Sequence, residues 1–414
     1  MAIFCWGELA KTANDTTTIA EYIQASVLKH NVSPQAHGLD SYAIYNHRTD
    51  DVLDHGDETV IHTKIRPENI YNEKIKFIAR AYKATVSDDG NGDFDNIQDA
   101  IDYVNGIGGG AIFVKNGTYK QTANIVLYSD ITLEGEDDDN TIIDFNETEY
   151  HIHISGSTTV YKRNIHILRF KIQNCWYYER GAIYMRYVED SSILGCYFLD
   201  NFNSSEGEGI DIYGYNADRI KVEGNRSDGA GSFGSFFGDQ MYVGRNYIIN
   251  TDSDAITRIG SRSMIINNYI INSGGSGIFT IAQDVESRIV GNAIIEPGSY
   301  GIYIFQGDQI QVTDNHIDGN GVTTLGIRLY DADGNIIKGN VIKDFSDNGI
   351  HLYNKCKRNV ITANQVRNSG DYAVSINHAT CINNLITSNV LYNSGIAAIR
   401  DISTGTIDSN NIKT

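Results

Sequence analysis

An all-β solenoid is the fold class this sequence predicts, on two periodic series and one compositional bias. The first series is a short "G-I-x-I" motif. It reads GAIYM at Gly181, GIDIY at Gly209, GIFTI at Gly277, GIYIF at Gly301, GIRLY at Gly326 and GIHLY at Gly349, with degenerate copies at Asp254, Tyr372 and Ile396. From Asp254 onward the copies are 23, 24, 25, 23, 23 and 24 residues apart. The second series is one asparagine per repeat: Asn225, Asn246, Asn268, Asn292, Asn315, Asn340, Asn364, Asn389 and Asn411. The bias is 40 Gly and 26 Tyr against 3 Pro in 414 residues, which suits many repeated turns and few linkers.

A period near 23 fits either leucine-rich repeats or a parallel β-helix. Leucine-rich repeats need leucine at most anchor positions, whereas Ile, Val and Tyr dominate here in short alternating runs. Each repeat is therefore expected to be one coil of three short strands, stacked about 4.8 Å above the last. Asparagine then stacks on asparagine at a turn, each amide bonding its copies above and below, which gives these residues a structural role. Cys175 and Cys196 are 21 residues apart and Cys356 and Cys381 are 25 apart, so each pair is expected to lie in one column, as free thiols or as a disulfide. No CxxC or CxxH pattern is present, so no zinc knuckle or thioredoxin-like site is indicated.

In chain order, residues 1–83 do not repeat and are expected to form a small, mainly helical or irregular head. Asn14 and Asp15 can cap a helix over about 16–30, with Ile19, Ile23 and Val27 on one stripe. A single-stripe helix cannot fold alone; it needs the rest of the chain or other copies of itself, which suggests self-association. Residues 84–110 are expected to form an N-terminal cap, because a stacked solenoid needs its ends covered. Phe94, Ile97, Ala100, Ile101 and Val104 recur at helical spacing there, and Gly106 and Gly108–Gly110 end the run. The coils then occupy residues 111–414.

The run GDFDNIQDAID…GGGAIFVKNGTY…ITLEGE…TIIDF resembles the opening of the pectate-lyase-like superfamily of right-handed parallel β-helices. The likeness covers about residues 86–414; Asn116 stands where such proteins often carry proline. It implies a right-handed parallel β-helix, and says little about chemistry. In the head, "HNVSPQAHGLDSYAIYNHRTDDVLDH" holds four of the 11 histidines. Its pattern at His30, Asn31, Pro34, Ala36, His37, His47, Val52, Asp54, His55 and Val60 resembles segments near the N-termini of bacteriophage tail and virion proteins. That resemblance implies an attachment module, commonly of a trimeric spike. The histidines are seven to ten residues apart, wider than the spacing paired zinc ligands prefer. The closer pair, His151 and His153, falls on one face of a strand, where ordinary packing competes with a metal role. No metal or other cofactor is expected.

The net charge of −19 repels phosphate backbones, so nucleic acid is not an expected partner. No stretch approaches the ~20 apolar residues that span a bilayer, so no membrane insertion is expected. The opening MAIFCWGELAKTAND lacks a basic start followed by an apolar run and is not expected to be a secretory signal. An extracellular or virion location without such a signal is the expectation.

No P-loop, nucleotide fingerprint or Ser-His-Asp order is present, which leaves acid residues around one turn of each coil. Of the loops before successive "GI" strands, two central copies carry paired acids, Glu206 with Glu208 and Asp252 with Asp254; Asp211 follows on its strand. Two coils of separation is roughly 10 Å, near the ~6.5–9.5 Å between the carboxyls of an inverting glycosidase. Arg258 and Arg262 can bind a uronate carboxylate or stabilise a lyase enolate. A solvated acidic turn is the competing reading. Trp176, Tyr177 and Tyr178 fall at a turn, where amphipathic rings suit sugar faces, and Phe236, in GSFGSFFGDQMY, belongs to a loop over the same face or an intersubunit patch.

The expectation is a tailspike or fibre-like homotrimer, held to other virion or tail proteins through residues 1–83 and binding host cell-surface glycan. A polysaccharide lyase or glycoside hydrolase of the same fold, and a purely structural virion component, are the alternatives.

Overall fold

The computed structural model describes residues 82–176, 181–202, 209–281 and 285–413, and the backbone of Phe4–Cys5, Val52–His55 and Glu58–Ile61. The chain forms two compact units, Met1–Tyr82 and Lys83–Thr414. In the first, Glu58–Ile61 pairs antiparallel with both Phe4–Cys5 and Val52–His55. The helix expected over 16–30 lies outside the described residues, as do His30, His37 and His47.

The second unit is a parallel β-helix. Each coil places one short strand in each of three parallel sheets, here called A, B and C in chain order. Sheet A has 14 strands, from Tyr82–Val86 to Ile407–Ser409, and sheet B has 13, from Gly117–Lys120 to Ile412–Lys413. Sheet C also has 13; twelve form a continuous path from Ile125–Val126 to Ala397–Asp401, and Lys162–Arg163 pairs beside Ile183–Glu189. The "G-I-x-I" strands are sheet C.

The one-per-coil register turns every inward position into a column. In sheet A, Ile193, Val222, Val243, Ile265, Ile289, Val312, Ile337, Ile361 and Ile386 are successive partners, and all are buried. Each such side chain contributes about 1.5–3 kcal/mol of burial. β-branched residues suit this setting, since a pleated surface packed on itself leaves no rotamer freedom to lose.

One helix, α1 (Ile97–Gly106), covers the N-terminal end. Asn96 caps it by accepting from the Gln98 and Asp99 N–H groups, and Ile97, Ala100, Ile101 and Val104 are buried against the first coils. Four of the five expected stripe residues lie on α1; Phe94 precedes the helix, half-buried and bridged to Val86. The strand Tyr82–Val86 precedes α1 and heads sheet A, so the first sheet begins before the cap helix rather than after it.

The asparagine series forms a ladder at the turn between sheets A and B. From Asn225 to Asn411 each Nδ2 donates to the next Oδ1 at 2.9–3.0 Å. Each Oδ1 also accepts the backbone N–H of the preceding ladder residue, and each Nδ2 also donates to a carbonyl of an earlier coil. Every amide in the run is thus satisfied inside the protein. A second ladder, Asn335, Asn359 and Asn384, stands at the turn between sheets C and A, where Ser263 and Ser287 hold the place in earlier coils.

The cysteines divide. Lys357 pairs with Ile382, which sets Cys356 beside Cys381 in one column as free, buried thiols. Cys175 and Cys196 do not share a column. Cys196 heads the asparagine ladder, its N–H donating to Asn225, while Cys175 ends a sheet B strand and donates its N–H to Asn201. Unequal coil lengths put the two at different corners.

Replacing Asn315 by Ala removes one rung: the buried Asn292 backbone N–H loses its partner, and its Nδ2 keeps only its bonds to the Ile265 and Val290 carbonyls. The expected loss is about 2 kcal/mol or more, read as a fall in the thermal unfolding midpoint. Asn105, exposed on α1, should tolerate the same change with a far smaller shift.

Candidate functional site

Along sheet C, side chains alternate between the coil interior and its outer face. One outward column runs His153, Tyr184, Tyr213, Ser235, Thr257, Phe279, Tyr303, Arg328, His351, Ser375 and Arg400, each the register partner of the next. Two consecutive coils therefore carry short polar side chains, Ser235 and Thr257, between larger aromatic ones. A cleft of about 590 Å³ lies there. Tyr184 and Tyr213 stand at one end, their rings stacked 5.8 Å apart at 13°, and Phe279 stands at the other, stacked on Tyr303 at 5.1 Å.

The sides of the cleft differ chemically. One is the turn from sheet B to sheet C, with Gly209, Ile210, Gly231, Ser232, Ser253 and Asp254. The Asp254 Oδ1 accepts the Ser276 N–H at 2.6 Å, and Gly275 makes room for it, since a Cβ there would lie 2.6 Å from that oxygen. The other side carries Arg186, Tyr215 and Arg258. Arg258 lies 4.9 Å over the Phe237 ring, and Arg186 lies 5.1 and 5.9 Å over Tyr187 and Tyr215. The cleft thus offers ring faces, hydroxyls, one carboxylate and two guanidinium groups.

The sequence candidates fall in different places. Asp254 and Arg258 line the cleft together. Asp252 is exposed on the same turn, and Arg262, paired with Asp239, is engaged elsewhere. Glu206, Glu208, Tyr177 and Tyr178 lie outside the described residues. In the sequence they precede Gly181 and Gly209, and the strand after Gly209 sits two strands from that of Ile256 in sheet C. Trp176 is partly exposed, its N–H donating to the Thr148 carbonyl.

Asp211 does not project from its strand. It is 1% exposed, inside the coil, where Asn201 Nδ2 (2.9 Å) and Ser227 Oγ (2.5 Å) bond its two oxygens. Ser227 occupies a column that is apolar in neighbouring coils (Phe198, Ile248), so three polar side chains share one pocket in the core. Burial pushes the Asp211 carboxyl up to about 7, against the pull of the Ser227 and Asn201 hydrogen bonds.

Phe236 likewise points inward and is fully buried; its neighbour Phe237 faces out. The stretch expected as a loop is a regular strand, Ser232–Phe237. A Cβ at Gly234 would lie 2.3 Å from the Phe236 ring, so the glycine is what gives that ring its space. The residues that sequence reasoning passed over as site candidates are Tyr213, Tyr215, Phe237, Phe279 and Arg186, all on the outer face. Their common signal is register: they follow the "GI" dipeptide or its equivalent at odd and even offsets that only a strand-by-strand alignment separates.

His151 and His153 do form a pair, Nε2 to Nδ1 at 3.1 Å, and His153 packs on Tyr184 at 5.3 Å. Among the described residues, no group of three or more His, Cys, Asp or Glu is arranged to hold a metal ion.

Residues 248–413 match the family model "Right handed beta helix region". No curated protein matches the chain. Among solved structures, the A-module of mannuronan C-5 epimerase AlgE6 from Azotobacter vinelandii is similar with a TM-score of 0.61 at 17% identity, over 76% of this chain and 94% of that one. The catalytic unit of a GH87 α-1,3-glucanase from Streptomyces thermodiastaticus aligns with a TM-score of 0.57 at 15% identity, over 76% of this chain and 66% of its own. The Dettilon tailspike protein aligns with a TM-score of 0.52 at 17% identity, over 76% and 62%. The class is thereby defined: this chain is a right-handed parallel β-helix, the fold that the resemblance of its opening coils implies.

The Asp211 pocket makes a pH prediction. A carboxyl whose pKa rises from 3.8 to about 7 on folding binds more protons folded than unfolded between those values, so stability falls as pH rises from about 4 to about 7. Asp211→Asn keeps the neutral hydrogen-bonding pattern. It should melt higher than the native chain at pH 8, with the difference vanishing below about pH 4; thermal melts across that range read it directly.

Proposed function

We propose that this protein is a tailspike or fibre-like subunit that binds cell-surface polysaccharide in the sheet C cleft. The observation that carries the reading is the cleft itself, where Ser235 and Thr257 leave a sugar-sized gap between the faces of Tyr213 and Phe279. Amphipathic rings flanking hydroxyl and guanidinium groups are the chemistry that takes a polyhydroxylated ring. The epimerase, glucanase and tailspike likenesses support a polysaccharide ligand on this fold. The virion assignment rests on the head pattern from His30 to Val60, and in this reading residues 1–83 fasten the β-helix to other virion or tail proteins outside a cell.

Homotrimer formation belongs to the same proposal. It is supported by an outward column on sheet A, Ile336, Val360, Leu385 and Ile407, which is apolar where a solvated face would be polar. Light scattering on the full chain is expected to give three chain masses. A monomer at micromolar concentration would overturn the trimer and favour a free-standing enzyme.

Polysaccharide cleavage is the second reading, favoured by Asp254 and Arg258 lining one cleft. A carboxylate across the cleft from a guanidinium can serve as general acid or base on a uronate bound between them. If the chain cleaves a polysaccharide it binds, Asp254→Asn should lower the release of new chain ends by at least about 100-fold with binding retained. For binding itself, Tyr213→Ala and Phe279→Ala should each weaken polysaccharide affinity about tenfold in isothermal titration, with an unchanged circular dichroism spectrum.

A further inference from the structure

Sheet C carries a second regularity, longer than the coil. Among its described strands, apart from the side strand Lys162–Arg163, the lysine and arginine residues are Arg186, Arg328 and Arg400, and Arg258 directly follows Ile256–Thr257. In the order of sheet C these four sit three strands apart, each from the next. At about 4.8 Å per strand the interval is about 14 Å, repeated three times along the axis. Arg328 and Arg400 share the outward column, and Arg258 and Arg186 lie one and two residues along their strands from it.

Each of the four is held in the same way. Arg186 lies over Tyr187 and Tyr215, Arg258 over Phe237, Arg328 over Tyr300 and Tyr303, and Arg400 over Tyr372 at 5.6 Å. Ring faces fix the guanidinium planes; Arg328 also donates from Nη1 to the Tyr300 hydroxyl at 2.6 Å, and the remaining N–H groups are left to other partners. Among the described residues none of the four is ion-paired, whereas six of the nine arginines off this row are: Arg163, Arg169, Arg219, Arg245, Arg262 and Arg358, but not Arg226, Arg288 or Arg367. Between Arg328 and Arg400 in the same column, neither ring nitrogen of His351 has a hydrogen-bond partner among the described residues. In a chain of net charge −19, a row of unpaired arginines on one face is a directed feature.

We infer that the outer face of sheet C binds an acidic polysaccharide laid along the coil axis, with carboxylates of the polymer seated on Arg186, Arg258, Arg328 and Arg400. The bidentate fit of a guanidinium fork to a carboxylate selects uronate-type groups. The polymer has an anionic repeat that fits the 14 Å interval, either once or as a whole fraction of it. This rests on the reading that sheet C takes a glycan, and it extends the site from one cleft to nine strands beyond Arg186.

The test uses the full chain and a panel of acidic microbial polysaccharides with polygalacturonate, each immobilised as isolated and after chemical reduction of its carboxylates to alcohols. Polygalacturonate carries a carboxylate on every ring and so presents one at each arginine. Binding to at least one carboxylated polymer, lost on reduction and weakened about tenfold by each of R186Q, R258Q, R328Q and R400Q, is expected. R288Q, on sheet A, should leave it unchanged. Equal binding before and after reduction, unaffected by the four variants, would overturn the arginine row while leaving a glycan-binding protein. Binding to no polymer of either form would overturn the glycan reading and this inference with it.

Discussion

Hydrogen bonding between successive coils is the constraint on which the rest of this molecule depends. All three sheets are parallel and in register, so every coil must advance along the axis by the same strand spacing, about 4.8 Å. A residue cannot be added within a strand without breaking two ladders at once. Extra residues are therefore expelled at the corners, where left-handed backbone at positions such as Asn250, Asn267, Asn272 and Asn368 makes the bend in one step. Register partners show where the expulsion happens. Ile152 pairs with Ile183 and Ile183 with Ile212, intervals of 31 and 29, while Ile212, Gly234, Ile256 and Ile278 follow at 22. Part of the surplus of the first long coil falls between sheets C and A, where Ile152 to Ile167 is an interval of 15 against 10 for their partners Ile183 and Ile193.

The same constraint decides which polar groups can be buried. An asparagine at the A–B turn meets its own copy one coil above and below, so a chain of amides satisfies itself without water. The ladder runs unbroken from Asn225 to Asn411 and stops at Cys196, where the coils lengthen. Asp211 is the opposite case. It has no copy in the coils on either side, and two single hydrogen bonds from Asn201 and Ser227 do not offset the burial of a charge. The regular coils bury polar groups by repetition; the irregular coils bury one by protonation.

Much of this was legible in the sequence, for a physical reason. A one-dimensional stack repeats its local chemistry, so the period, the ladder from Asn225, the cap stripe of α1 and the column of Cys356 and Cys381 all appear as spacing. Legibility failed where a strand has no unambiguous inward side. In Ser232–Phe237, inward Gly234 carries no side chain to mark the face, and the paired Phe236 and Phe237 read equally well in either direction. Asp211 sits beside the inward Ile212, and only the corner geometry puts both inside. Cys175 and Cys196 have a coil-like separation that unequal coil lengths make accidental. The second ladder went unread because Ser263 and Ser287 stand in for asparagine until Asn335.

The arginine row shows what such a stack can encode beyond its own stability. Inward positions answer to packing and ladder positions to amide pairing, so both repeat with every coil. An outward position on sheet C answers to neither, and most vary freely among Tyr, Phe, Ser, Thr and His. A feature that recurs there at every third coil is not required by the fold, because no contact between coils three apart imposes it; strands that far apart are separated by about 14 Å. The aromatic rings that hold each arginine come from its own coil or from coils next to it, so they do not carry the spacing from one arginine to the next. On the inference drawn above, the regularity is matched to something outside the chain, of comparable length and its own fixed repeat. A polymer of sugars bearing carboxylates has both properties, and a rigid β-helix with one axial spacing is the scaffold on which such a match can be kept over many coils.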